Sequence, residues 1–483
     1  MTLDRVLKEM KEEKLKKIET TPLKIDNYLE NVRAFHKIQP FFYDKAGLFW
    51  FWQKEEFRWV MVDEIDVMVA IDKNLNLLGQ TVSSSVKQSY LEGFRRVGRV
   101  NIPKEAPKTW IQFKEQVIDI KDSGKFNASP EYFFTNPFPW GIGNSVNTPI
   151  MDKLFEDWVG KEHVQTLYEI IAYCCVSDYP IHIILCLVGS GRNGKSKFQS
   201  LISKFIGSEN ICSTELDTLL KSRFESFKLY KKSVCLLGET NFGTLTKTSL
   251  LKKLVGQDLI GFEYKQKKPF DGYNYAKIII NSNSLPTSED TSEGFYRRWL
   301  IIDFPNEFPE GKDILETIPE EEYRNLARKV ATLLPRLLEK GSFTNQGSIE
   351  DRKQKYILSS NPLEMFVKTC CVEDHIEYIK STDLYMAYCN FLKKLKTRKV
   401  SRKEFNSALN EQGYSSVRTT KKVKNNYRNN LENDDFVSTY WIDGITLKED
   451  FMQIMSKMNR SSIHSLYKEK SSETLHKMHN VHN

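Results

Sequence analysis

Apolar residues along this chain follow two periods. Ile181 to Val188 (IHIILCLV) is a β-branched apolar run of the length of a buried strand. Lys195 to Phe205 (KSKFQSLISKF) follows, with Phe198, Leu201, Ile202 and Phe205 at helical spacing. Further apolar runs at Val234–Leu237, Ala276–Ile280 and Trp299–Phe304 are separated by helical stretches. Strands alternating with helices from about 180 to 305 predict an α/β unit with a mostly parallel, covered sheet.

Outside this stretch the pattern changes. Residues 1–32 are charged and read as a helical leader. Residues 33–145 are rich in aromatics; alternation around Leu48–Trp52 and Trp59–Val62 predicts short strands, and Ser83–Val97 a helix, giving a mixed α+β region. Residues 136–143 (NPFPWGIG) are a turn-rich boundary. Helical spacing returns over 146–180, through Met151, Leu154, Phe155 and Trp158, then Leu167, Ile170, Ile171 and Cys174. A long helical segment with an acidic start and a basic end is expected over 311–340, so the central unit spans 181–340. A small domain covers 365–448. Asp383–Leu395 reads as an amphipathic helix, and Ser401-Arg-Lys-Glu404 is a capping-box pattern opening a second helix through Leu409. Gly413-Tyr414 turns the chain, Val417–Lys424 is basic, and Trp441–Leu447 closes as a strand. Helices followed by a basic hairpin predict a winged-helix-like domain. Residues 449–483 form a weakly amphipathic tail.

Length and composition narrow the classes. A chain of 483 residues with 40% hydrophobic and 12% aromatic content suits several globular domains. Eight cysteines show no C-x-x-C spacing, and the pairs Cys174-Cys175 and Cys370-Cys371 sit in apolar stretches, which predicts reduced core thiols. The N-terminus lacks the apolar core of a signal peptide, and no run of about 18 apolar residues exists. A soluble cytoplasmic protein without membrane partners is expected. The net charge of +8 is modest, so its distribution matters more than its sum.

Chemistry enters at Gly189-Ser190-Gly191-Arg192-Asn193-Gly194-Lys195-Ser196, a full match to the phosphate-binding loop G-x-x-x-x-G-K-[ST]. Its glycines let backbone N–H groups turn inward around phosphates, Lys195 reaches the β/γ-phosphates, and the Ser196 hydroxyl ligates Mg²⁺. The strand before it and the helix after it aim a helix N-terminus, including Lys197, at the anion. ATP and Mg²⁺ are the expected cofactors. An apolar strand ending in Gly238-Glu239 lies 44 residues beyond Lys195 and offers one carboxylate for Mg²⁺ and the attacking water, where many such ATPases carry two. No base-reading Asn-Lys-x-Asp motif points to a GTPase.

Five pieces in order resemble a superfamily 3 helicase of the phage/plasmid and poxvirus primase-helicase group. They are GSGRNGKS, the strand CLLGET, Leu250–Asp258 with its Gly-x-Asp turn, the strand Ala276–Pro286 ending in Asn-x-x-Pro, and Phe295–Phe304 with its double arginine. The resemblance implies a P-loop AAA+-like ATPase core, a hexameric ring and ATP hydrolysis at subunit interfaces. It implies that Asn283 senses the γ-phosphate and that Arg298 is the finger delivered to a neighbour, with Arg297 in support. Residues from about 110 to 180 resemble, more loosely, the helical region preceding that core, a collar. No primase carboxylate cluster or zinc set appears upstream, so primase activity is not expected.

Between the Gly-x-Asp turn and the Asn283 strand, Phe262–Gly272 reads as two extended arms around a basic turn. In the family such a hairpin faces the ring channel, so Lys265, Lys267 and Lys268 are candidates for phosphate contacts and Phe270 for a sugar or base. The second basic cluster, seven Lys/Arg within Lys393–Lys403, continues into the C-terminal hairpin, with Lys399, Arg402, Lys403, Arg418, Lys421 and Lys422 as candidates. The expectation is a replicative DNA helicase of a mobile genetic element, acting on single-stranded and forked DNA, with a primase or polymerase as a possible partner. The alternatives are an initiator ATPase that melts origin DNA, and a nucleotide-regulated assembly ATPase.

Overall fold

The computed structural model describes residues 27–76, 83–189, 191–238, 244–265, 267–309, 313–395, 400–423 and 435–452. Expectations for most of the leader, for Ser190, Glu239 and Lys399 and for most of the tail lie outside these residues, as does that for the side chain of Lys422.

The N-terminal domain opens with α1 (Tyr28–Ile38), which crosses the boundary read at residue 32. Strands β1 (Phe41–Tyr43), β2 (Phe49–Gln53) and β3 (Arg58–Val62) form an antiparallel sheet in chain order. Helices α2 (Glu64–Asn76) and α3 (Ser84–Val100) cover it. Phe35, Phe41, Phe51 and Phe94 make the aromatic center of this core. Gly98 is where α3 meets β1, since a Cβ there would stand 2.7 Å from the Tyr43 nitrogen.

A second antiparallel sheet follows: β4 (Trp110–Phe113), β5 (Gln116–Asp119) and β6 (Lys125–Asn127). These strands fall within the region read as mixed α+β over 33–145; only the looser resemblance of 110–180 to a helical region departs from them. Ile111 and Phe113, like Val117 and Ile118, are buried in a sheet, and helix begins only at α4 (Pro149–Val159) and α5 (Val164–Cys174).

Next come β7 (Ile184–Val188), α6 (Lys195–Ile206), β8 (Ile211–Thr214), α7 (Leu216–Lys221), β9 (Val234–Leu237) and α8 (Ser249–Leu254). A two-stranded hairpin, β10 (Leu259–Phe262) and β11 (Phe270–Tyr273), precedes β12 (Lys277–Ser282), α9 (Glu293–Tyr296) and β13 (Trp299–Asp303). Five of these strands form one sheet in the order β13-β7-β12-β9-β8, every pair parallel. The apolar runs of β7 and β12 follow from this, because a central parallel strand is buried on both faces. Lys277 opens β12 fully buried; its Nζ donates to Val176 O and Tyr275 O at 2.6 and 2.8 Å and lies over the rings of Tyr173 and Tyr179. Burial pushes its amine down to about 7.

The long helix α10 runs Glu320–Lys340, shorter than the segment read from the sequence. Its Glu322 accepts from the backbone of Ile150 and Met151 at 2.9 and 3.1 Å, a carboxylate on the N-terminus of α4. Helix α11 (Ile349–Ser360) then leads to α12 (Pro362–Cys370), β14 (Cys371–Lys380), α13 (Ser381–Lys394), α14 (Arg402–Glu411), β15 (Ser416–Val423) and β16 (Asp435–Leu447). The last three strands form an antiparallel sheet in the order β14-β16-β15, around a separate core of Phe366, Leu384, Phe391, Leu409, Ile442 and Ile445. The Ser401–Glu404 capping box is formed. All four cysteines of the two adjacent pairs are buried. Among the described residues, no helix is long and apolar enough to cross a membrane.

Candidate functional site

The chain leaves β7 at Val188, turns through Gly189–Gly194 and enters α6 at Lys195. Gly191 and Gly194 have φ of 107° and 92°, and Arg192 has 45°, so the turn uses left-handed backbone repeatedly. Gly194 is doubly constrained, because a Cβ there would also stand 2.5 Å from the Trp158 ring of α4. Lys195 is 4% exposed. Its Nζ donates to Gly189 O at 2.7 Å, Asn193 Oδ1 at 3.0 Å and Asn283 Oδ1 at 3.4 Å, and each of these acceptors is neutral. Asn193 Nδ2 donates to Phe304 O at 3.1 Å, which ties the turn to the end of β13. A glycine turn, a helix N-terminus and a buried lysine together suit an anion.

Strand order decides what surrounds the turn. β12 lies between β7 and β9, with Ser282 opposite Val188 and Ile280 opposite Leu237. Asn283 therefore emerges beside Gly189, and the chain leading to Glu239 emerges on the other side of Asn283. Adjacent strands are about 4.8 Å apart, so the three exits fall within about 10 Å. The exposed Ser196 accepts at Oγ from Asn281 Nδ2 at 3.3 Å. Asn281 also donates to Gln199 Oε1 at 3.0 Å, while its buried Oδ1 has no donor among the described residues. Sequence reasoning passed over Asn281; the available signal was an amide interrupting the apolar run Ile278–Ile280.

Lys197, in the first turn of α6, pairs through its side chain with Asp313 at 3.0 Å. The double arginine lies at the far end of the sheet from the turn. β13 runs parallel to β7, with Trp299 opposite Ile184 and Asp303 opposite Val188. Arg297 and Arg298 thus sit at the opening of the strands, a strand length of about 16 Å from the turn of the same chain. Arg298 is 9% exposed, donates from Nη1 to Gly294 O, and faces Asp258 and Asp290. Burial alone would raise the Asp290 carboxyl, but hydrogen bonds from Lys252, Ser292 and Thr248 hold it well below the usual carboxylate range. Arg297 is the exposed member; its carbonyl accepts from Arg352 Nη1.

The basic elements divide similarly. Lys265 and Lys268 are exposed in the β10–β11 turn. Lys267 is paired with Glu64 of α2 at 3.1 Å. Phe270, read as a sugar or base contact, packs instead on Phe262 and Tyr230, with ring centroids 5.6 and 5.0 Å away. In the C-terminal domain, Arg402 donates to Ser381 Oγ at 3.2 Å and lies over the Tyr385 ring. Lys403 and Arg418 are exposed, and Lys421 is paired with Asp443 beneath Tyr378. A cleft of about 470 Å³ joins the two units, lined by Gly189, Asn283 and Phe304 on one side and by Tyr388, Glu404 and Gln412 on the other.

Residues 187–298 match a family of unknown function (DUF5906). No curated protein matches the chain. Among solved structures the chain is similar to the apo NrS-1 C-terminal region. Its A form shares 16% identity over 65% of this chain and 74% of that chain, with a TM-score of 0.42. Two structures of residues 305–718 of that protein share 15% and 14% identity, each over 86% of this chain and 98% of theirs, with TM-scores of 0.41 and 0.42.

Proposed function

We propose that this protein is an ATP-hydrolysing DNA helicase of a mobile genetic element, working as a ring.

 Six subunits are what the family resemblance implies. The observation that supports the reading is the convergence of Lys195, Asn283 and the β9 exit at one end of the sheet, with an exposed arginine at the other end. Mg·ATP, when bound, supplies the phosphoanhydride to be cleaved and the metal that shields its charge. In this reading Lys195 neutralises the β/γ-phosphates and Ser196 Oγ is a metal ligand. Glu239 polarises the attacking water and Asn283 orients it. Arg297, rather than the buried Arg298, reaches the γ-phosphate of a neighbouring subunit. Lys265 and Lys268 contact the DNA backbone.

The test is displacement of one strand from a forked duplex that carries no origin sequence. ATP-dependent displacement that Lys195→Ala abolishes supports the reading. ATP hydrolysis with neither DNA stimulation nor displacement overturns it and favours an assembly ATPase.

One observation favours a second reading. The order α12-β14-α13-α14-β15-β16, with β16 between its two partners, supports a winged helix, and Arg402 and Lys403 stand in the first turn of α14. The opening residues of a second helix are those that reach base edges in helix-turn-helix proteins. An origin-binding initiator would then bind one duplex far more tightly than others and lose that preference in Arg402→Ala/Lys403→Ala.

A further inference from the structure

The N-terminal domain carries a basic face that the helicase reading does not use. Helix α3 (SSVKQSYLEGFRRVGRV) holds four cations, Lys87, Arg95, Arg96 and Arg99, against one acid, Glu92. Arg95 and Arg99 are one turn apart and share a face. Arg99 lies over the Tyr43 ring at 5.0 Å, and Arg96 is exposed.

This face adjoins the basic hairpin. One oxygen of Glu64, Oε1, receives Arg95 Nη2 at 2.9 Å and Lys267 Nζ at 3.1 Å. A cation from α3 and a cation from the β10–β11 turn therefore converge on one anionic oxygen. The three side chains are each about a third exposed (34%, 30% and 32% for Arg95, Lys267 and Glu64), so the meeting point is open to solvent. The hairpin is also held in place at its base. Tyr230 contacts Phe270 and Phe262 on one side and Trp50 of β2 on the other, at centroid distances of 5.0, 5.3 and 6.3 Å.

We propose that α3 and the hairpin turn form one strip that binds the sugar-phosphate backbone of single-stranded nucleic acid. In the free protein, Glu64 occupies the position that a backbone phosphate takes between Arg95 and Lys267. The strip runs from Arg99 and Arg96 through Arg95 to Lys267, Lys268 and Lys265. A phosphate replaces the carboxylate because it offers more acceptor oxygens to the same two cations. The inference rests on the DNA-binding reading and extends it to a domain without a motif.

The experiment measures binding of the full chain to a fluorescent oligo-dT without nucleotide, over a series of salt concentrations. Arg96→Ala/Arg99→Ala is expected to weaken binding several-fold and to flatten the slope of log K against log salt by about 1–2. Glu64→Gln is expected to act in the opposite direction and tighten binding, since the competing carboxylate is gone. Arg96→Glu, a substitution at an exposed position, gives the same loss without disturbing the Glu64 contacts, and thermal melting checks that each variant folds. If Lys265→Ala/Lys268→Ala loses binding while the α3 variants and Glu64→Gln leave it unchanged, the strip is overturned and the hairpin reading stands. If the wild type binds no oligo-dT, both fall. If polyglutamate of equal charge competes as well as unlabelled oligo-dT, the face serves an acidic protein and the inference is overturned.

Discussion

The two ends of the parallel sheet are built from different materials. Where the strands end, the chain offers glycines, amides and a buried lysine that donates to oxygens of Gly189, Asn193 and Asn283. Where they begin, it offers a cluster of tilted and edge-on rings, Phe295, Tyr296, Trp299 and Tyr356, together with Arg297, Arg298 and Arg352. The first end is shaped to receive an anion. The second fixes one arginine in the interior and leaves its neighbour facing out. The same strands that position both ends keep them apart, so only a second copy of the chain can bring an Arg297 to a Lys195.

The largest expected effect tests that separation. Arg297→Ala should lower ATP turnover by about 10³-fold or more, the scale of an arginine finger, with little change in melting temperature. Mixed with Lys195→Ala, it should regain part of its activity, because some interfaces then pair an intact arginine with an intact loop. Full activity in Arg297→Ala alone breaks the comparison. Lys195→Ala should cost roughly 10²–10³-fold in turnover, as the loss of one preorganised charge contact does, while binding to oligo-dT persists. Loss of DNA binding in that variant would show that the two ends are not separable.

Smaller effects fall on the frame. Gly194→Ala forces a side chain against Trp158 and into left-handed backbone, and should cost on the order of 1–3 kcal/mol, read as a lower melting temperature that ATP no longer raises. Lys277→Met addresses the buried amine. Burial holds it at about 7 in the folded chain, below the 10.5 of an ordinary lysine. Between these limits the unfolded chain holds a proton that the folded chain has released, so this lysine's contribution to stability rises with pH. The melting temperature of Lys277→Met relative to wild type should therefore fall as pH rises from about 7 towards 10.5. A difference that does not vary with pH would mean that Lys277 keeps its charge when folded.

The parallel sheet was legible because buried strands write themselves as apolar runs, and Ile183–Val188 and Ile278–Ile280 need no partner to be recognised. The turn at Gly189–Ser196 was legible for a similar reason, since its backbone demands glycine at fixed positions. The strands at 110–127 were not picked out one by one within the α+β region because they are only three or four residues long. β14 was passed over because only its first residue, Cys371, is buried, so it carries no apolar alternation. The different surroundings of Arg297 and Arg298 could not be read from adjacent identical residues; burial separates them, and Arg298 faces Asp258, which arrives from elsewhere in the chain. Lys267 and Lys421 looked like free cations until their partners, Glu64 and Asp443, were brought in by the fold.

Helix α11 has a consequence for how the molecule can move. Its Arg352 holds the carbonyl of Arg297, its Tyr356 donates to Pro286 O at 2.7 Å, and its Ser359 carbonyl accepts from Leu285 at 2.9 Å, just beyond Asn283. Twelve helical residues span about 18 Å, close to the length of the strand beside them. The helix is thus a stiff rod with a grip at either end of the sheet, and it continues directly into the C-terminal domain. A load applied at the arginine end would therefore be carried by that rod to Asn283 and to the domain beyond it.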